Sequence, residues 1–259
     1  MTLKLPEIKH PTHTLVLPSC NEELLVRPYS SKEEKILLMA ALSDSAVEYL
    51  HAAKQIVQNC VIQWCKSYQK VDDLPTFDFD YLLLQLRIIS VGEKVSIRFK
   101  GIYDSECTEC QKDLDVEVDL TQVQVENPKF DRKIILNEDY GVLLKYFAVK
   151  DQNDVFQKTT KETPQNDKAN SVDEVVDTIF RSMAHCIDAI FSKEEVIKVH
   201  KEDIEQVKGW LENLPREART KIEEAINQTP VLKHEITLQC EKCGKKQKHV
   251  FEGLESFFV

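Results

Sequence analysis

Two short stretches hold the residue types best suited to chemistry, 107-CTEC-110 and 240-CEKC-243. A Cys-x-x-Cys pair serves either as a redox dithiol or as half of a tetrahedral metal site. Neither pair opens a helix after a strand, as a thioredoxin-like site requires, which weighs against redox work. Two pairs together complete a Cys₄ set, the usual closed coordination of structural Zn²⁺. Cys107, Cys110, Cys240 and Cys243 are therefore the expected zinc ligands. Gly244 follows the second pair, where a knuckle needs a tight turn with positive φ. Lys112, Lys242, Lys245 and Lys246 lie close enough in sequence to offset the charge of four thiolates around one ion. A closed Cys₄ site leaves no position for water, so the expected role is structural and not catalytic.

The pairs lie about 130 residues apart, whereas a contiguous zinc ribbon closes over about 15–20 residues. The metal would thus fasten the C-terminal hairpin to the middle of the chain. Of the other cysteines, Cys60, Cys65 and Cys186 fall among apolar residues on predicted helices, and Cys20 falls in a turn. There a free cysteine acts as a small hydrophobe. The histidines, His10, His13, His51, His185, His200, His234 and His249, form no H-E-x-x-H motif. His185 reads as a packing residue, and His249 as an exposed hairpin residue that could also support the zinc ligands. Asp78 and Asp80 resemble paired carboxylates, but their place before an apolar run makes helix capping the better reading. No active site emerges.

The elements that carry these residues follow from period and punctuation. Residues 12–17 and 23–29 predict a β-hairpin around 18-PSCNE-22. Ser30 or Ser31 caps a following helix with Glu33 and Glu34 in its first turn, and Leu37, Leu38 and Ala41 form its apolar face. A longer helix is expected over 45–68. Pro75 and Gly92 bracket a nearly all-apolar helix, the expected core element. From Lys94 the period becomes two, with strands at 95–103 and 114–125 flanking the first cysteine pair, then 133–137 and 141–146. Residues 150–171 contain three apolar residues in twenty-two and read as a polar, flexible loop. Helices are expected at 172–192, 201–213 and 215–228, and strands at 232–239 and 248–253. The resulting class is α+β. Its segments are 1–93 (hairpin and helical core), 94–149 (β region with the first knuckle), 150–171 (loop), 172–230 (helical) and 231–259 (C-terminal hairpin with the second knuckle).

Composition narrows the function classes. The 259-residue chain carries 34 Lys and Arg against 44 Asp and Glu, a net charge of −10. That balance disfavours non-specific binding of nucleic acid or anionic lipid. No Gly-rich phosphate loop occurs, and the chain has only six glycines. The longest apolar run, 81-YLLLQLRII-89, is far short of the roughly 20 residues that span a bilayer. With no signal peptide visible, a soluble protein made in a reducing cytoplasm is expected, where eight cysteines are more readily ligands or core residues than disulfides.

Several ordered stretches resemble one family, the baseplate hub and hub-assembly proteins of T-even-type contractile-tailed bacteriophages. They are 26-VRPYSSKEEKILLMA-40, 58-QNCV-61, 73-DLPTFDFDYLLLQLRIISVGE-93, the Cys-x-x-Cys hairpin leading to 115-DVEVDL-120, and the late Cys-x-x-Cys-Gly followed by 253-GLESFF-258. The resemblance implies a virion-assembly protein without covalent chemistry. It would bind other baseplate hub proteins in the host cytoplasm during assembly, or in the virion tail baseplate. The alternative is a zinc-ribbon nucleic-acid binder. Residues 231–259 carry five Lys against four Glu and no aromatic platform, which argues against it. A cysteine-dependent enzyme is weaker still.

Overall fold

The computed structural model describes residues 9–43, 45–99, 113–126, 131–152, 154–155, 172–240 and 242–252. These are mixed α and β, and they fall into two compact units: one from 1–71, 77–126 and 231–259, the other from 72–76 and 127–230.

In the first unit, β1 (His13–Val16) and β2 (Glu23–Val26) form the expected antiparallel hairpin. Its turn places Asn21 at φ 58°, a left-handed position that Asn tolerates better than most residues. Ser30 is the N-cap of α1 (Ser31–Leu42), and the Glu33 carboxylate reaches back to the Ser30 N–H at 2.6 Å. Arg27 donates to the same carboxylate at 2.6 Å. Burial alone would raise the Glu33 pKa, but the hydrogen bonds from Arg27 and Ser30 prevail and hold it down at about 2. The expected apolar face of α1 is only partly right. Leu37 is buried, while Leu38 is 59% exposed.

The helix α2 (Ala46–Cys60) buries Leu50, Ala53, Ile56, Val57 and Cys60 at helical spacing. It stops eight residues short of the expected end. Val61–Gln63 instead form β3, an antiparallel addition to β2 with a bulge at Leu25/Val26. The β-branched pair Val61–Ile62 suits a strand, and the β2 edge supplies backbone partners that a further helical turn would not. Cys65 consequently lies in the loop after β3 and not on a helix.

The apolar run forms α3 (Thr76–Val91), burying Phe77, Phe79, Leu82, Leu83, Leu84 and Leu86. Gly92 ends it at φ 133° with its N–H on the Ile88 carbonyl at 3.0 Å. The strands β4 (Lys94–Phe99) and β5 (Leu114–Asp119) pair antiparallel. The single strand expected over 114–125 is broken by a 3₁₀ turn at Leu120–Gln122, where Asp119 accepts from the Thr121 N–H at 3.0 Å. After the turn, β6 (Gln124–Glu126) joins the C-terminal hairpin of β11 (Val231–Gln239) and β12 (Lys246–Glu252), in the order β12-β11-β6.

In the second unit, β7 (Lys133–Ile135), β8 (Tyr140–Leu144), β9 (Ile187–Ser192) and β10 (Val196–Lys198) form an antiparallel sheet in the order β10-β9-β8-β7. The helices α4 (Val172–His185), α5 (Ile204–Glu212) and α6 (Arg216–Ile226) accompany it. Val142, Leu144, Met183, Ile187, Leu211 and Ile222 belong to their common core. The helix expected over 172–192 ends at His185, because Ile187–Ser192 fill the sheet position beside β8. The expected polar loop from 150 begins as helix instead: residues 149–152 and 154–155 are helical, with Val149, Asp151 and Val155 buried. The rest of that segment, 156–171, lies outside the described residues, as do the strand ends at 100–103 and the terminal 253–259.

Candidate functional site

The strand β11 leads directly into the second cysteine pair. Cys240 is buried and donates its N–H to the Lys245 carbonyl at 2.9 Å, while the Gly244 N–H returns to the Cys240 carbonyl at 2.9 Å. Gly244 has φ 71°, the left-handed turn position that glycine adopts without steric cost. Cys243 is exposed on the same turn. Leu238 and Cys240 pack with Phe99 of β4, Val116 of β5 and Ile236. The strands β4 and β5, which flank the first cysteine pair in sequence, thus lie against the strand that leads to the second. Cys107 and Cys110 themselves lie outside the described residues.

His249 is half-buried. Its ring stands edge-on to Phe99 and to Phe251, each at 4.9 Å between centroids, so it packs the two hairpins together.

Two sequence readings need correction. Asp78 and Asp80 lie inside α3, which begins at Thr76, and not at its N-cap. Asp78 is fully buried and accepts from the Ser19 N–H at 3.1 Å and from the Ser19 hydroxyl. Desolvation lifts its carboxyl to about 6 despite those two bonds. Cys186 follows α4 and does not lie on it; burial pushes its thiol up to about 12. His185, as expected, is buried, with Nδ1 at 3.2 Å from Asp151 Oδ1.

A cluster of side chains able to hold a metal ion was not legible in the sequence. The sulfurs of Cys20 and Cys65 and a carboxylate oxygen of Glu22 lie within 4.8 Å of one another. Cys20 and Glu22 flank the left-handed Asn21, which turns both toward the loop after β3. Ser67 orients the carboxylate, donating its N–H at 2.9 Å and its hydroxyl at 3.0 Å. These bonds, the backbone one foremost, hold the Glu22 carboxyl below its ordinary range. Residues 20 and 65 come from separate segments, so only the pairing of β2 with β3 brings them near.

The surface of α1 is the other conspicuous feature. Leu38, Met39 and Leu42 are 59%, 63% and 86% exposed and share one stripe of the helix. Leu38 and Val91 line a shallow pocket with Tyr29, Leu37, Tyr49 and Arg87. Val91 is also more than half exposed.

The stripe lies on α1, whose first turns are the end of the stretch 26-VRPYSSKEEK-35, within a fold of two units that carries a cysteine pair in the turn of its C-terminal hairpin. Residues 10–259 match the model of the T4 bacteriophage base plate protein family, and the chain belongs to that family. Neither curated protein sequences nor solved structures yielded a match. Among the described residues, no helix is long and apolar enough to cross a membrane.

Proposed function

We propose that the chain is a baseplate hub component or hub-assembly factor. It acts through protein–protein contacts in baseplate morphogenesis, in the host cytoplasm, and not by covalent chemistry. Family membership supports a place in the phage baseplate. The observation that carries the contact mechanism is the apolar stripe Leu38, Met39 and Leu42 on α1, continued by Val91. Apolar side chains grouped on a surface and rimmed by charge are typical of protein–protein contacts. Glu34 and Arg87 supply that rim here. The partners are other phage baseplate hub proteins, which bury the stripe on binding.

Co-purification from infected cells tests the reading. The Leu38→Glu/Leu42→Glu variant is expected to fold normally and to lose the baseplate proteins that the wild-type chain retains. Unchanged retention by this variant, or no baseplate protein bound by the wild type, overturns it.

The zinc reading belongs to the same proposal. Cys107, Cys110, Cys240 and Cys243 hold one structural Zn²⁺ that joins the central and C-terminal hairpins. The turn at Cys240–Gly244 and the packing of Phe99 and Val116 against Leu238 and Cys240 support it. Metal analysis after dialysis is expected to find zinc at this site, and its loss in Cys240→Ser/Cys243→Ser.

A further inference from the structure

We propose a second metal site in the first unit, in which the sulfurs of Cys20 and Cys65 and one carboxylate oxygen of Glu22 bind a thiophilic divalent cation of the zinc class. Two thiolates and a carboxylate are a donor set that Zn²⁺ accepts and that Mg²⁺ or Ca²⁺ does not favour. The three ligand atoms lie within 4.8 Å of one another, whereas tetrahedral zinc with Zn–S of about 2.3 Å sets two sulfurs about 3.8 Å apart. An inward shift of about 1 Å completes the triad, within the reach of side-chain torsions.

The surroundings are those of a held ligand set. Cys65 is buried, and its sulfur lies 3.8 Å from the Tyr68 carbonyl oxygen. The Gln69 side-chain amide donates to the Cys65 carbonyl, tying down the loop that carries the sulfur. Ser67 donates to both oxygens of the Glu22 carboxylate, and the Cys65 thiol bonds to the same carboxylate, so sulfur and oxygen are already paired where the metal would sit. Such outer hydrogen bonds fix the orientation of a ligating carboxylate. Cys20 and Glu22 are half-exposed, which leaves an entry path and a fourth coordination position open to water. Binding releases the protons of both thiols to solvent as the two S–metal bonds form. The metal would clamp the β1–β2 turn to the loop after β3, reinforcing the Glu22–Ser67 and Ser19–Tyr68 hydrogen bonds that already join the two segments.

The site is independent of the cysteine pairs at 107–110 and 240–243, and cobalt counting separates the two. Full-length protein is stripped of metal under reducing, oxygen-free conditions and titrated with Co²⁺, following the thiolate-to-cobalt absorption. Cys20→Ser/Cys65→Ser is expected to bind one cobalt fewer per chain than wild type, whatever the other pairs bind. Glu22→Gln keeps both thiols and is expected to bind that cobalt at least tenfold more weakly. In wild type, bound zinc is expected to slow alkylation of Cys20 and Cys65, a readout that does not require a variant to fold. Equal cobalt stoichiometry in wild type and the double variant overturns the proposal. So does alkylation of Cys20 and Cys65 at a rate indifferent to zinc, or a Cys20–Cys65 disulfide in protein freshly purified from a reducing cytoplasm.

Discussion

Asp78 and Ser19, 59 residues apart, are joined by two hydrogen bonds, with the buried carboxylate accepting from both the backbone and the hydroxyl of the serine. The link ties the first turn of α3 to the turn between β1 and β2. Burial raises the Asp78 carboxyl from 3.8 to about 6, so the folded chain holds that proton more tightly than the unfolded chain does. Its contribution to stability is therefore fully present below about pH 4 and is lost as pH rises through about 6. Comparing melting temperatures across this window checks the sign. Wild type is expected to gain on acidification relative to Asp78→Asn, which cannot take up the proton. Ser19→Ala should cost about 1–3 kcal/mol, because Asp78 keeps only the backbone partner.

Glu33 behaves in the opposite sense. Its carboxyl is lowered from 4.5 to about 2, so its stabilising contribution is present above about pH 4.5 and fades as pH falls through about 2. Glu33→Gln should cost about 2–3 kcal/mol at pH 7, since Arg27 and the Ser30 N–H lose their charged acceptor. Urea unfolding at pH 7 and pH 3 reads both effects, with a smaller difference between the proteins at pH 3.

In the second unit, Asp151 accepts from the Ala148 N–H at 3.0 Å and sits 3.2 Å from His185 Nδ1. Burial would raise the Asp151 pKa, but His185 and the Ala148 N–H overcome it and lower it. Asp151→Ala strands both groups in a buried setting, where such a loss costs about 1–3 kcal/mol. Denaturant titration is expected to show a clear loss in midpoint, and His185→Ala combined with it should cost less than the two changes summed.

Gly141 pairs with Ile135 on one side and Phe191 on the other. A Cβ there would collide with the Phe191 ring and the Ile134 carbonyl oxygen. Gly141→Ala should destabilise by about 1–3 kcal/mol through overpacking. Adding Phe191→Leu is expected to relieve only part of this, because the carbonyl does not move away with the ring.

Local chemistry was legible in the residues themselves. The hairpin at 13–26, the serine cap and acidic first turn of α1, the Gly92 stop and the cysteine turn closed by Gly244 each depend on neighbours within a few positions. The family resemblance was legible too, because its motifs are long and ordered. Where the reading failed, a distant edge or a distant side chain had decided. Val61–Gln63 left the helix for the edge of β2, and Ile187–Ser192 for the edge of β8. Periodicity could not choose between helix and strand for such short apolar runs.

What the sequence determined by itself was the set of elements that short-range hydrogen bonding and side-chain period dictate, together with the two cysteine pairs at 107–110 and 240–243. Only the tertiary structure decided that β6 lies beside β11, that Asp78 is buried under Ser19 instead of capping a helix, and that Cys65 stands beside Cys20 and Glu22. Each of these depends on which strand edges meet and which polar groups find partners once water is excluded, and residues tens of positions apart carry no local sign of that pairing.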